Sequence, residues 1–447
     1  MKKVLRMNYS LTSLPKSEAE ISVILPFSEF EPHVKRAAVL ISEETEIEGF
    51  RKGKAPYEVV KQRVGEVAIY ERAAELAVHK TYPRALEALF ANGQLSDDSL
   101  PIGRPSIAVM KLAPGNELEY KAKLSLLPRV ILPQYLEIAK RALEEKKEIV
   151  VGEEEVEKAL DWLRESRVTL FTVDRPAALQ DRVEVDLEIR HGGVRIDGGD
   201  SKNHPLVIGR GKFLPGFEDQ LIGMKTGETK QFTLAVPDDW RDKQYAGKAL
   251  DITAIMRLVQ ERRVPELGDE FAKQLGKFES VEQLRSNVRE GIAEEKRIKE
   301  RDRMRIKMIE AIAKEAAMEI PDLLVERELE KMIEESRRSI EEMGMKWEDY
   351  CAHLKKTAED FRKEWHDGAQ QRVRIALALR EIARQERLQP SEEEIKVIAD
   401  RTLQQYRSAG EAERAIDPEA LQEYSRGIVR NEKVFELLER LGEPLAQ

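Results

Sequence analysis

Residues 49–56 read Gly-Phe-Arg-Lys-Gly-Lys-Ala-Pro, three cations and one aromatic ring in eight residues. The glycines permit a tight exposed turn, and Pro56 stiffens the exit and fits the first turn of a following helix. A loop of this kind suits a partner rich in phosphate or acidic side chains. Arg51 can fork onto an anion, and Phe50 can enter an apolar crevice. A basic cluster by itself is more often plain solvated surface. A second stretch, 208–228, carries Phe213, Leu214 and Phe217 between glycines at 209, 211, 216, 223 and 227. Glycines so spaced read as a strand–turn–helix–turn–strand unit.

Six of the eleven methionines, Met304, Met308, Met318, Met332, Met343 and Met345, lie in one helical stretch. Taken singly, each reads as ordinary helix packing. Together they fit a partly exposed cradle for unfolded chains, because methionine is flexible, polarisable and adapts to varied apolar partners. Cys351, His353 and His366 make a poor zinc set without a second cluster, so no metal is expected. His204, a lone histidine, reads as packing or surface before it reads as a proton donor. The chain has no GxxxxGK[ST], GxSxG or HExxH pattern.

The elements that must position these residues fall into four textures. Residues 1–130 mix strands and helices: Ile21, Val23 and Leu25 alternate, helical patterns cover 32–44 and 57–90, and strand-like runs recur at 107–111 and 118–126. In the second helical pattern Val60, Val64 and Val67 form one apolar face. Residues 131–176 read as a connector, broken from the preceding strand by Pro128 and Pro133, with a short helix at 153–167. Across 177–262 the period changes to two. Val183, Val185, Leu187 and Ile189 alternate with polar residues, Leu250, Ile252, Ala254, Met256 and Leu258 do so again, and 231–236 is a third strand. Period two with one apolar face means an antiparallel sheet. Residues 263–447 are helical, with capping boxes at Ser280/Gln283 and Ser391/Glu394 and an Asp417-Pro418 cap. The expected fold class is therefore multidomain α+β: an α+β region, an antiparallel-sheet domain and an all-α region.

Composition bounds the partners. A chain of 447 residues exceeds one compact core. Charged residues at 36% and aromatics at 6% favour long solvated helices over a dense enzyme interior. A net charge of −9 excludes non-specific coating of nucleic acid, so any contact with RNA needs a local basic patch. The single cysteine rules out a disulfide framework and fits a reducing compartment. No apolar run long enough for a signal peptide or a bilayer span is found, so a cytoplasmic location and no membrane partner are expected.

The run at 49–56, followed by a helix, resembles the ribosome-binding signature of bacterial trigger factors. The resemblance implies that Phe50, Arg51 and Lys52 grip the large ribosomal subunit beside the polypeptide exit tunnel, mainly through a ribosomal protein. Residues 208–228 resemble the central segment of FK506-binding-protein-type (FKBP-like) peptidyl-prolyl isomerases, the class inserted in trigger factors. On that pattern Phe213, Leu214 and Phe217 form the pocket floor, Asp197 sits at the rim, and Tyr245 and Ile252 complete the wall. Such a site needs no nucleophile, metal or cofactor. A dry apolar pocket favours the twisted amide, which has lost its resonance and is less polar than the planar form.

Leu187, Ile196 and His204 stand where relatives usually carry aromatic rings, so weak or absent isomerase activity with peptide binding retained is expected. Residues 264–271 resemble the start of the family's helical arms. Those arms imply that Met304, Met308, Met332 and Met343 contact nascent and unfolded polypeptides without ATP. The family further implies a connector packed against the last domain, a chaperone core discontinuous in sequence, and self-association as a homodimer off the ribosome. Two rival readings stay open: a dedicated prolyl isomerase with a helical extension, and a scaffold with an inert isomerase domain.

Overall fold

The computed structural model describes residues 7–211, 213–240, 244–404 and 417–441. The chain divides into two compact units, Met1–Lys146 with Arg301–Gln447, and Lys147–Glu300.

The first unit opens with β1 (Asn8–Leu14) and β2 (Glu18–Leu25), then α1 (Phe27–Glu44), α2 (Tyr57–Val64), α3 (Glu66–Ala91), β3 (Pro101–Lys111) and β4 (Leu118–Leu126). The strands form one antiparallel sheet in the order β1-β2-β4-β3. Alternation decides its faces: Ala19, Ile21, Val23 and Leu25 are buried, as are Leu118, Tyr120, Ala122 and Leu124 of β4. The opposite face carries ion pairs between Lys121 and Glu20 and between Lys123 and Glu18, the pattern of a solvated sheet surface. On the buried face Phe30, Val34 and Ala37 of α1 and Ile69, Ala73 and Ala77 of α3 close the core. The Tyr120 hydroxyl lies 2.8 Å from Thr81 Oγ1, and burial pushes its pKa up to about 12.

The helical pattern expected over 57–90 is interrupted. Gly65, at φ +85°, ends α2 and begins α3. This breaks the apolar face read from the valines: Val60 is buried, while Val67, beyond the glycine, is 71% exposed. The first unit continues into α4 (Tyr135–Leu143).

The second unit comprises α5 (Glu153–Glu165), β5 (Thr169–Thr172), β6 (Arg182–His191), β7 (Val194–Val207), α6 (Phe217–Leu221), β8 (Thr229–Ala235), β9 (Ala249–Arg263), α7 (Asp269–Leu275) and the first part of α8 (Val281–Glu315). Strand β9 is the hub. It pairs β6 along one edge, while β8 and β5 pair successive stretches of the other. Val183, Val185, Leu187 and Ile189 of β6 face Leu250, Ile252, Ala254, Met256 and Val259 in one core, into which α6 inserts Phe217 and Leu221. A separate small core joins Val156 and Leu160 of α5 to Phe271 and Ala272 of α7 and Leu284 of α8.

The rest of α8 belongs to the first unit, with α9 (Asp322–Glu342), α10 (Trp347–Leu354), α11 (Ala358–Gln385), α12 (Glu392–Leu403) and α13 (Pro418–Arg440). Ile138, Ala139 and Ala142 of α4 share a core with Met304, Met308, Ile309 and Ile312 of α8, Leu379 and Ile382 of α11, and Val434 and Leu438 of α13. This core joins α4 to helices far along the chain from it. Arg305 is stitched to Glu439 at 2.5 Å and Glu432 at 2.7 Å, with its guanidinium over the Phe435 ring.

Candidate functional site

The basic loop joins α1 to α2, and the backbone fixes its shape. The Gly53 N–H donates to Ser42 O at 2.9 Å, Phe50 N–H to Ile47 O at 3.1 Å and Lys54 N–H to Arg51 O at 2.9 Å. Gly49 and Gly53 take φ +84° and +76°, where an L side chain is strained. Ile47 is buried and anchors the loop to the core. Phe50 is 42% exposed, Arg51, Lys52 and Lys54 are exposed, and none of the three cations has an ion-pair partner among the described residues. The structure thus presents an aromatic ring and unneutralised cations on a turn held at its base. That arrangement can meet an anionic, partly apolar surface without first breaking internal contacts.

Around α6 the second unit gathers most of the expected pocket residues. Leu214, Phe217 and Ile252 are buried, with Phe213 and Tyr245 packed partly buried against them. Phe213 lies 4.4 Å from Phe217, centroid to centroid, and Phe217 5.7 Å from Phe232. Of these residues Phe213 lines a cleft of about 300 Å³, together with His204, Pro205, Leu206, Val207, Arg210 and Glu218. Asp197 is exposed on β7 and lies outside the hydrophobic cluster.

Of the three residues expected to stand in place of aromatic rings, two are aliphatic and packed inward, Leu187 buried and Ile196 half-buried. The third replacement still supplies a ring: His204 faces Phe213 at 5.9 Å, with Nδ1 3.4 Å from Ser201 Oγ. The cleft therefore offers a peptide apolar and aromatic surface from Leu206, Val207, Phe213 and His204, with Arg210 and Glu218 beside it. Such a surface can enclose an amide and ease its rotation.

Sequence reasoning missed Phe232, Leu234 and Trp240, which pack against the same cluster. Phe232 and Leu234 alternate within β8, so period two in 231–236 could have found them. It also missed Arg210 and Glu165. Partial burial pushes the Glu165 carboxyl up, but the guanidiniums of Arg210 and Arg262 outweigh this and hold it below its ordinary value.

The methionines divide. Met304 and Met308 are 2% and 0% exposed in the core around α8, and this corrects the expected cradle: α4, α11 and α13 cover them. Met318 and Met332 are partly buried against Val325, Leu329, Ala369 and Val373. Met343 and Met345 are 75% and 47% exposed on the turn between α9 and α10, either side of Gly344 at φ +83°. Beneath them Ile340, Trp347 and Phe361 form a small core with Tyr350 and Trp365. Leu354, 41% exposed, extends the apolar surface at the end of α10.

Three family models match along the chain. Residues 7–163 match "Bacterial trigger factor protein (TF)", 173–258 match "FKBP-type peptidyl-prolyl cis-trans isomerase", and 280–439 match "Bacterial trigger factor protein (TF) C-terminus". A curated protein named "Trigger factor" from Caldicellulosiruptor bescii is 30% identical over 432 residues, 96% of this chain and 95% of that one. Another so named, from Moorella thermoacetica, is 31% identical over 404 residues, 90% and 87% of the two chains. A solved structure described as "Promiscuous Substrate Recognition in Folding and Assembly Activities of the Trigger Factor Chaperone" matches with TM-score 0.53 and 22% identity, over 98% of this chain and 100% of the other. At that identity it speaks for the fold.

Proposed function

The chain belongs to the trigger factor family, as a ribosome-associated chaperone with an FKBP-type prolyl isomerase domain, and from that premise we propose that residues 49–56 dock it on the large subunit beside the exit tunnel. The observation that carries this reading is the loop itself: Phe50, Arg51 and Lys52 are exposed, the two cations have no ion-pair partner among the described residues, and the base of the turn is hydrogen-bonded to α1. Docking brings weak apolar contacts near the emerging chain, where a tether gives an effective concentration on the order of millimolar. Weak contacts release the client without ATP, and folding ends the encounter by burying the surface that was bound. Met343, Met345 and Leu354 are the apolar side chains we assign to client contact on the helical arms.

The cleft over Phe213 and Phe217 is the proposed proline site, with Leu214, Tyr245 and Ile252 supporting it and Asp197 at its rim. Turnover is proposed to be low, because Leu187 and Ile196 give less flat surface than rings would. The division into 1–130, 131–176, 177–262 and 263–447 stands as a proposal too. The separate matches at 173–258 and 280–439 support its two later parts, while the match at 7–163 runs across the 130/131 boundary. The cytoplasm is the proposed location, in keeping with one half-buried free cysteine, Cys351. No helix among the described residues is long and apolar enough to cross a membrane. Homodimerisation off the ribosome is proposed on the family resemblance alone.

The test is co-sedimentation of the wild type with ribosomes beside a Phe50→Ala, Arg51→Ala, Lys52→Ala triple variant. The wild type should pellet with the large subunit, less so as salt rises, and the triple variant should stay in the supernatant. Equal pelleting of both would remove the basis for the docking assignment.

A further inference from the structure

Glu218 follows Phe217 on α6 and is 7% exposed. Its Oε2 accepts from the Gly209 N–H at 2.7 Å and from the Gly211 N–H at 2.9 Å. Both glycines have left-handed backbones, φ +91° and +61°, which lets their N–H groups converge on one oxygen. Convergent backbone N–H groups make an anion-binding concavity, and here the anion is the protein's own carboxylate. Arg210, between them, pairs with Glu165 on the outer side. This loop leads to Phe213, whose ring lies 4.4 Å from Phe217, and Arg210, Phe213 and Glu218 line the same cleft.

We propose that Glu218 is a positioning residue for the proline pocket, holding the loop of Gly209, Arg210 and Gly211 so that Phe213 stays against Phe217. A loop with two glycines in three residues has much conformational freedom to lose, and local packing alone restrains it weakly. Charge-assisted hydrogen bonds from the two exposed glycines to a buried carboxylate supply the restraint. The carboxylate does not touch the reacting amide. It keeps the cleft formed before the peptide arrives, so binding does not bear the cost of ordering it. With the clamp removed, the competent cleft is populated only part of the time, and apparent affinity falls by that fraction. Once peptide saturates the site the cleft is formed again, so KM rises while kcat changes little. This rests on reading the cleft as the proline site.

The experiment uses the full chain, a short proline-containing peptide as probe, and two variants. Glu218→Ala should raise KM on the order of tenfold and leave kcat within about twofold. It should also shift the amide resonances of Gly209 and Gly211 while those of β9 stay in place. Glu218→Gln keeps an acceptor oxygen at the same position and should restore KM to within about threefold of wild type. A folded Glu218→Ala protein with wild-type KM and unmoved glycine amides overturns the proposal, as does a fall in kcat at constant KM. Should the alanine variant not fold, the glutamine variant decides. Wild-type KM with the glycine amides still protected supports the clamp, and a folded protein with those amides released overturns it. A Phe213→Ala control separates the two levels. Peptide affinity indifferent to Phe213 sinks the proline-site reading, while the glycine amides still judge the clamp.

Discussion

Replacing Gly53 by alanine separates the shape of the proposed docking loop from its charge. Gly53 has φ +76° and its N–H holds Ser42 O at 2.9 Å. A Cβ built there would come within 2.7 Å of Glu43 Cγ. Glu43 is exposed and flexible and can swing aside cheaply, so the lasting cost is the left-handed backbone, roughly 1–2 kcal/mol for an L residue. That strain has two outlets. If the loop keeps its shape, ribosome affinity is unchanged and the N-terminal sheet-and-helix body loses about 1–2 kcal/mol of stability. If the loop relaxes, stability is spared and the docking-competent population falls about 5–30-fold. Gly53→Asn should lose less by either route, because asparagine tolerates this region better. The assay is ribosome affinity at fixed salt, measured beside denaturant unfolding of the same preparation. An alanine variant with both wild-type affinity and wild-type stability would refute the claim that this turn is held in a left-handed conformation for docking.

Two further predictions follow from the helical region. Replacing Met343 and Met345 together with serine should weaken suppression of aggregation of an unfolded client several-fold with little change in stability, since both are exposed. The same change at buried Met304 and Met308 should act through unfolding instead, and a light-scattering assay paired with a thermal melt separates the cases. Glu394 accepts from Ser391 N–H at 2.7 Å and pairs with Lys433 at 2.8 Å; the lysine contact first, then the cap, lowers its pKa to about 2 from an ordinary 4.5. A depressed folded pKa means that the carboxylate's contribution is complete above about 4.5 and is lost as pH falls toward 2. The melting temperature of the helical region should therefore drop across that window, and Glu394→Gln should flatten its share. An unchanged acid profile in the variant would count against the cap and ion pair acting as described.

What could be read in the sequence was what neighbouring residues determine. The basic loop at 49–56 is contiguous, so its glycines, cations and ring were visible as one motif. The alternation of β6 and β9, the Ser391/Glu394 box and the Asp417-Pro418 cap are local too, and all appear in the structure. Ser280 also caps as expected, with Gln283 N–H donating to its hydroxyl at 3.3 Å, but the Gln283 side chain accepts from Glu279 N–H, one residue earlier.

What escaped was decided by partners far away in the chain. Met304 and Met308 look available on their helix until Leu379, Ile382, Val434 and Leu438 cover them. Strand β5 has four exposed residues and no period to detect; it exists because β9 extends to Arg263 and pairs with it. Glu218 carried no local signal of burial, and only the fold turns it inward onto two glycine amides. The break at Gly65 was a local signal, and a mid-pattern glycine could have been read as a stop.

The central claim is that this loop places the protein at the mouth of the exit tunnel. The most direct measurement is a photo-crosslinker installed at position 50 and irradiated in the presence of translating ribosomes. Crosslinks should concentrate on a large-subunit protein beside the tunnel exit and vanish when Arg51 and Lys52 are replaced by alanine. Crosslinks scattered over both subunits, or unchanged by those replacements, would contradict it.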